Sequence, residues 1–262
     1  MHHVHTLRTR LAAAVLVAAA SFGFAAPVHA EPAAPAEITL TLVRHAESAG
    51  NASGLVDTKT PGPDLTELGR TQARQVAALL ADRGFDGVYA SRMVRTQQTA
   101  TPLARTLHKR IVVLPGVHEI LAGDYEGSKE ADAQTGYMVA PMKWLRGDLT
   151  ARIPGAESGT EFKQRVDSSI DTVVKQGKKN PVIFSHGGTI MIWAMLTATN
   201  GRDYAAKIQT DYLRNVGRVV LKGNPTTGWK IVEWDGKPTL PTVPDCVSTG
   251  SGTFDPTTFA PC

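Results

Sequence analysis

Apolar residues recur along this chain with two different periods, and the alternation between them predicts a fold. Residues 37–43 alternate and then run apolar, as a short strand does, and the run ends at Arg44-His45. After a polar loop rich in Gly, Pro and Asp, Thr66 is placed to cap a helix with apolar positions at Leu68, Val76, Leu79 and Leu80, ending near Gly84. Residues 87–90 read as a second strand, 92–108 as a second helix and 111–114 as a third strand. From 123 to 159 no period is sustained, which marks an insertion or cap of about 124–159. Phe162, Val166, Ile170 and Val173 then recur at helical spacing, and 181–184 is a strongly apolar strand running into Ser185-His186. A further apolar helix over 189–198 precedes two β segments, 219–221 and 229–232, around the turn Asn224-Pro225-Thr226-Thr227-Gly228. Strands alternating with helices predict an α/β fold, a three-layer α/β/α sandwich with a mainly parallel central sheet.

The two ends fall outside this pattern. Arg8 and Arg10 precede an apolar run over 11–26, and Val28-His29-Ala30 supplies small residues where a signal peptidase reads. The run is shorter than the ~20 residues a spanning helix needs, so residues 1–30 are expected to be a cleaved leader and the protein to be secreted or associated with the cell envelope. Losing Arg8 and Arg10 lowers the formal charge from +4 by two, and no face carries a run of Lys/Arg, so a nucleic-acid partner is not expected. A short flexible segment, 31–37, would lead into one domain over 38–238, with an irregular tail over 239–262. Both cysteines, Cys246 and Cys262, lie in that tail; in an oxidising compartment the expectation is a disulfide closing a loop of about 17 residues, worth about 3 kcal/mol in the chain-entropy model.

The candidate chemistry sits where open α/β sheets place ligands, just beyond the ends of strands. Two histidines follow the two clearest strands, in Arg44-His45-Ala46-Glu47-Ser48 and Ser185-His186-Gly187-Gly188. A neutral imidazole nitrogen can attack phosphorus, and the resulting P–N bond is labile enough to hydrolyse. A transferring phosphoryl group needs fixed positive charge around its oxygens, which planar guanidinium forks such as Arg44 and Arg95 can provide. Taken one at a time these signals are weak, since a histidine at a strand end is more often a structural hydrogen-bonding residue and a helix arginine is usually a solvated surface charge.

Taken together, the motifs resemble the histidine phosphatase superfamily, in its branch related to the cofactor-dependent phosphoglycerate mutases. Leu42-Val43-Arg44-His45-Ala46-Glu47-Ser48 is similar to the opening signature, with Ala46 where glycine is commoner, and 65–73 resembles the start of the first helix. Residues 91–100 match the segment that brings in the second arginine, which identifies Arg95 rather than Arg92; 119–127 resembles the segment that begins with the proton-donating glutamate; 185–189 completes the set. The resemblance implies His45 as nucleophile, Arg44, Arg95 and His186 as the phosphate clamp, with His186 a charged donor, and Glu119 as general acid and then base. It also implies phosphate contacts from Asn51 and Gly187, and neither metal nor other cofactor. Glu157 and Ser158 resemble a smaller family feature and read as capping and loop support.

A phosphatase is expected rather than a mutase, because Ile120, Leu121 and Ala122 stand where glycerate mutases begin a carboxylate-binding stretch. The acid phosphatase and phytase branch carries extra Arg and Pro after its first motif and Asp after the second histidine; here Glu47-Ser48 and Gly187 occupy those places. A phosphomutase, or a non-catalytic phosphate-binding or wall-associated protein, are the alternatives. The partner would be a phosphorylated small molecule, a phosphoprotein or a lipid phosphate. Residues 137–146 read either as an apolar rim with two cationic points, Lys143 and Arg146, or as a cap helix burying its side chains.

Overall fold

The computed structural model describes residues 1–2 and 36–243, and the chain divides into two units, Met1–Ala34 and Pro35–Cys262. Of the first unit only Met1 and His2 are described, so the leader expected over 1–30 lies outside the described residues. The expected Cys246–Cys262 disulfide is corrected: the structure shows no disulfide among the described residues, and both cysteines lie outside them. No helix among the described residues is long and apolar enough to cross a membrane.

The second unit runs β1 (Ile38–Arg44), α1 (Ala49–Ser53), α2 (Glu67–Leu80), β2 (Gly87–Ser91), α3 (Val94–Thr106), β3 (Ile111–Leu114), α4 (Val139–Leu145), α5 (Gly159–Lys175), β4 (Pro181–Ser185), α6 (Gly187–Thr197), α7 (Lys207–Thr210), β5 (Arg218–Asn224) and β6 (Gly228–Asp235). The six strands form one sheet in the order β3-β2-β4-β1-β5-β6. β3, β2, β4 and β1 are mutually parallel, and only β5 runs against its neighbours β1 and β6. Side chains alternate between two cores, as pleating requires when both faces are covered. On β4, Val182 and Phe184 face the α2 and α3 residues Val76, Leu80 and Leu103, whereas Ile183 faces the α5 and α6 residues Phe162, Ile170 and Ile190.

Local chemistry sets the helix ends. Thr66 accepts from Gly69 N and starts α2, and Gly84 in the left-handed region ends the 3-10 turn that follows it. Ser158 and Glu161 form a reciprocal capping box at the start of α5. A Cβ on Gly69 would collide with the Glu47 carbonyl, so the glycine lets α2 approach the loop after β1. In the cap, Tyr137, Met138, Ala140 and Trp144 are buried, and Trp144 stacks on Phe162 with its indole nitrogen bonded to Ala151 O. Within 137–146 these four side chains and Pro141 are buried, while Val139, Lys143 and Arg146 are exposed.

Candidate active site

Register brings the candidate residues together. Arg44 pairs with Ser185 across β1 and β4, and Ala90 pairs with Phe184 across β2 and β4. Three adjacent parallel strands therefore end side by side, and the residues that leave them (His45, His186 and Ser91) meet beyond the sheet's carboxyl edge. The His45 and His186 rings lie edge to face with centroids 5.1 Å apart, both nearly inaccessible to solvent.

His45 is fixed through both nitrogens. Nδ1 lies 2.7 Å from Ala46 O, which places its proton there, so Nε2 carries the lone pair and accepts from Arg95 Nε at 3.1 Å. Burial, then the charges of Arg95 and Arg44, push the ring well below the ordinary histidine range, so it is neutral at pH 7. Arg95 is 3% exposed and also donates from Nη2 to Asp57 O, whereas Arg92 is exposed to solvent. Arg44 donates from Nη1 to Leu213 O and stands over the Tyr212 ring. A side chain on Gly187 would press on the Arg44 stem and the Tyr212 hydroxyl.

His186 Nε2 lies 2.8 Å from Ser91 Oγ. Burial, then Arg95 and His45, push this ring well below its ordinary range as well. The charges and rings around it, Arg95, His45, His118 and Arg165, all oppose its protonation. Three buried nitrogens at this point have no hydrogen-bond partner, Arg44 Nε, Arg95 Nη1 and His186 Nδ1, although Arg95 Nη1 stands 3.9 Å from Asp57 Oδ1 in an ion pair.

Glu119 stands beside this group at the N-terminus of α6. Its Oε1 accepts from Ile120 N and Thr189 N, with the Thr189 hydroxyl, whose 2.7 Å bond goes to His118 O, 3.1 Å away, while Oε2 takes a single 3.2 Å bond from Gly188 N. The segment that carries it is strapped down by Arg165, which makes a bidentate pair with the buried Glu157 and donates to the carbonyls of Gly116, His118 and Glu119. Glu126, later in the same motif, holds Thr58 through both oxygens, and Thr58 Oγ1 in turn accepts from Ala122 N.

Asn51 lies on α1, where it completes a capping box with Ser48. Its Oδ1 accepts from Asn215 Nδ2 at 3.1 Å, and the same Asn215 nitrogen donates to His45 O at 3.0 Å. Asn215, Tyr212 and the strained Val216 (φ 57°), whose N donates to Arg44 O, belong to a loop that the sequence reading missed. That loop carries no periodic pattern, and only the positive φ would single it out. Among the described residues no three His, Cys, Asp or Glu side chains group to hold a metal ion.

Comparison with known proteins agrees with this geometry. The family described as histidine phosphatase superfamily (branch 1) matches residues 40–236. The chain is 36% identical over 220 residues to PE-PGRS family protein PE_PGRS11 of Mycobacterium tuberculosis, across 78% of this chain but only 37% of that longer protein. It is 32% identical over 188 residues to "Putative phosphoserine phosphatase 2" of Hydrogenobacter thermophilus, across 72% of this chain and 92% of that one. A solved mycobacterial glucosyl-3-phosphoglycerate phosphatase shares the fold, with TM-score 0.62 and 21% identity over 76% of this chain and 99% of its own. With the family's motifs converging at the end of the family's sheet, this chain belongs to the histidine phosphatase superfamily.

Proposed function

We propose that the chain is a phosphomonoesterase working through a phosphohistidine at His45. The observation that supports this most strongly is the set of three buried nitrogens on Arg44, Arg95 and His186 that lack hydrogen-bond partners, beside a neutral, lone-pair-bearing Nε2. Buried donors without partners are costly, and a tetrahedral oxyanion is the ligand that satisfies three at once. His45 Nε2 attacks phosphorus as the ester P–O bond breaks, and the leaving oxygen takes a proton from Glu119. Water then attacks the phosphohistidine and returns a proton to Glu119 as the P–N bond breaks and phosphate departs. Oε2 is the Glu119 oxygen suited to carry that proton, since Oε1 is already engaged by two backbone amides at 2.9 Å. If Ser91 gives its hydroxyl proton to His186 Nε2, a neutral His186 still presents Nδ1–H to the phosphate.

Hydrolysis rather than mutase chemistry is favoured because Ile120 and Ala122 are wholly buried and present nothing to a substrate carboxylate. The leader-like residues 1–30 put the reaction outside the cytoplasm in this proposal. Its test is turnover of an alkyl and a nitrophenyl phosphate by the wild type and Glu119→Gln. An alkyl oxygen needs a proton as it leaves and a nitrophenolate hardly does, so kcat/KM should fall at least about tenfold further on the alkyl ester. Equal losses would make Glu119 a positioning residue, and no turnover by the wild type would end the proposal.

A further inference from the structure

Two hydroxyls behind His186 decide which of its nitrogens carries the ring proton. Ser91, Thr96 and His186 are each 0% exposed, so bulk water does not complete their hydrogen bonds. Ser91 Oγ lies 2.8 Å from His186 Nε2 and 2.9 Å from Thr96 Oγ1, and it accepts from Met93 N at 3.2 Å. Thr96 Oγ1 lies in turn 2.8 Å from Met93 O and 3.1 Å from Ser91 O. A hydroxyl has one proton and two lone pairs. Met93 N takes one lone pair of Ser91 Oγ, so of its two other neighbours one donates to it and one accepts its proton. Two oxygens 2.8 Å apart need a proton between them, and of Thr96 Oγ1 and Met93 O only the hydroxyl has one to give. The direction follows: Thr96 donates to Met93 O, Ser91 donates to Thr96 Oγ1, and His186 Nε2–H donates to Ser91 Oγ.

With its proton on Nε2, a neutral His186 has a bare lone pair at Nδ1, the ring nitrogen without a hydrogen-bond partner. On the reading of the site as a phosphomonoesterase, we infer that Thr96, acting through Ser91, is a positioning residue that makes the site take its phosphoryl group together with one proton, held between His186 Nδ1 and a phosphoryl oxygen. A lone pair against a dianionic phosphoryl oxygen is repulsive, and a proton between the two atoms turns the contact into a charge-assisted hydrogen bond. That proton arrives on a monoanionic ester or from solvent with the dianion, and the bound state is the same. His45 faces the ring from the end of β1, and Arg95 from α3, His118 and Arg165 from α5 add to it in opposing a second proton. Glu119 is tied to the amides of Gly188 and Thr189, just beyond His186 on α6. The negative charge of the phosphoryl group is what reverses this balance.

Nitrogen-15 NMR of the imidazoles and calorimetry with inorganic phosphate test this on the full chain. Without phosphate, His186 of the wild type should be protonated at Nε2 and bare at Nδ1. In Thr96→Val the Ser91 proton has only Nε2 to go to, so the ring proton should move to Nδ1. Calorimetry at about pH 8.5, where phosphate is a dianion, is repeated in buffers of different ionisation enthalpy, with Glu119→Gln in every protein so that this carboxylate cannot take the proton instead. About one proton should be taken up per phosphate bound when Thr96 is present and about none with Thr96→Val. The phosphate Kd should accordingly weaken about five- to tenfold from pH 7.5 to 8.5 in the first case and stay nearly flat in the second. Thr96→Ser keeps the hydroxyl and should behave as the protein with Thr96. A wild-type ring protonated at Nδ1, an absence of proton uptake, or equal uptake with Thr96→Val overturns the inference. If Thr96→Val does not fold, the wild-type spectrum and the uptake with Thr96 present decide it alone. Each of these results leaves the phosphomonoesterase reading intact while the wild type hydrolyses nitrophenyl phosphate; no hydrolysis removes that reading, and this inference with it.

Discussion

An imidazole attacks phosphorus only when neutral, and His45 meets that requirement through its neighbours: burial first, then two guanidinium groups that oppose a second proton. His186 is depressed for the same kind of reason. Both rings should therefore stay neutral as pH falls through 6.5, and a histidine NMR titration should show them unprotonated at pH 6 while an exposed histidine is mostly charged. A transition at 6.5 or above for either ring would contradict this electrostatic picture. At this scale the sequence was informative wherever the residue lies in a contiguous motif at a strand end, as Arg44, His45, Glu119 and His186 do. Asn215 and Arg165 were invisible as site components because each acts through a partner far along the chain: Asn215 on His45 O and Arg165 on the carbonyls around Glu119.

Helix α6 illustrates how an element shapes the site. Its N-terminal amides hold Glu119, and Gly188 leaves room for the carboxylate: a Cβ there would lie 2.9 Å from Glu119 Oε1. Because that atom ends a flexible side chain, Gly188→Ala should fold normally and displace the carboxylate. The expected result is a fall in kcat/KM steeper on alkyl than on nitrophenyl phosphate, paralleling Glu119→Gln; an equal fall on both, or none, would mean that Glu119 works without this support. Pattern reading starts α6 at Thr189, whereas the helix begins at Gly187. Residues 187–195 are buried on every side, so there is no polar face to give a period, and glycine is a poor helix signal. Helix α1 was missed for another reason: it has five residues and buries none of them, and it exists through the Ser48–Asn51 capping box.

Across the whole molecule, the sheet order places β4 between β1 and β2, so residues more than ninety positions apart in sequence finish on neighbouring strands. Local periodicity revealed the strands and the class of fold, but not this order, which is fixed by long-range pairing. The same burial has a pH consequence. His45, His118 and His186 all have folded-state values below 6.5, with His118 lowered to about 4 by burial and then Arg165. Below pH 6.5 the unfolded chain takes up protons that the folded chain refuses, so stability present above 6.5 is lost as pH falls, at up to about 1.4 kcal/mol per unit for each ring. Urea unfolding should show the protein at least about 2 kcal/mol less stable at pH 5 than at pH 7. A flat profile would mean that these rings protonate in place.

The central claim concerns a covalent bond between phosphorus and His45, and one measurement addresses it: mass spectrometry of enzyme quenched during turnover of a phosphomonoester. The peptide containing His45 should carry one added phosphoryl group, stable in base and lost in acid, and His45→Ala should show neither adduct nor turnover. A phosphoryl group on Ser48 or Ser185, or an active His45→Ala enzyme without an adduct, would contradict the account.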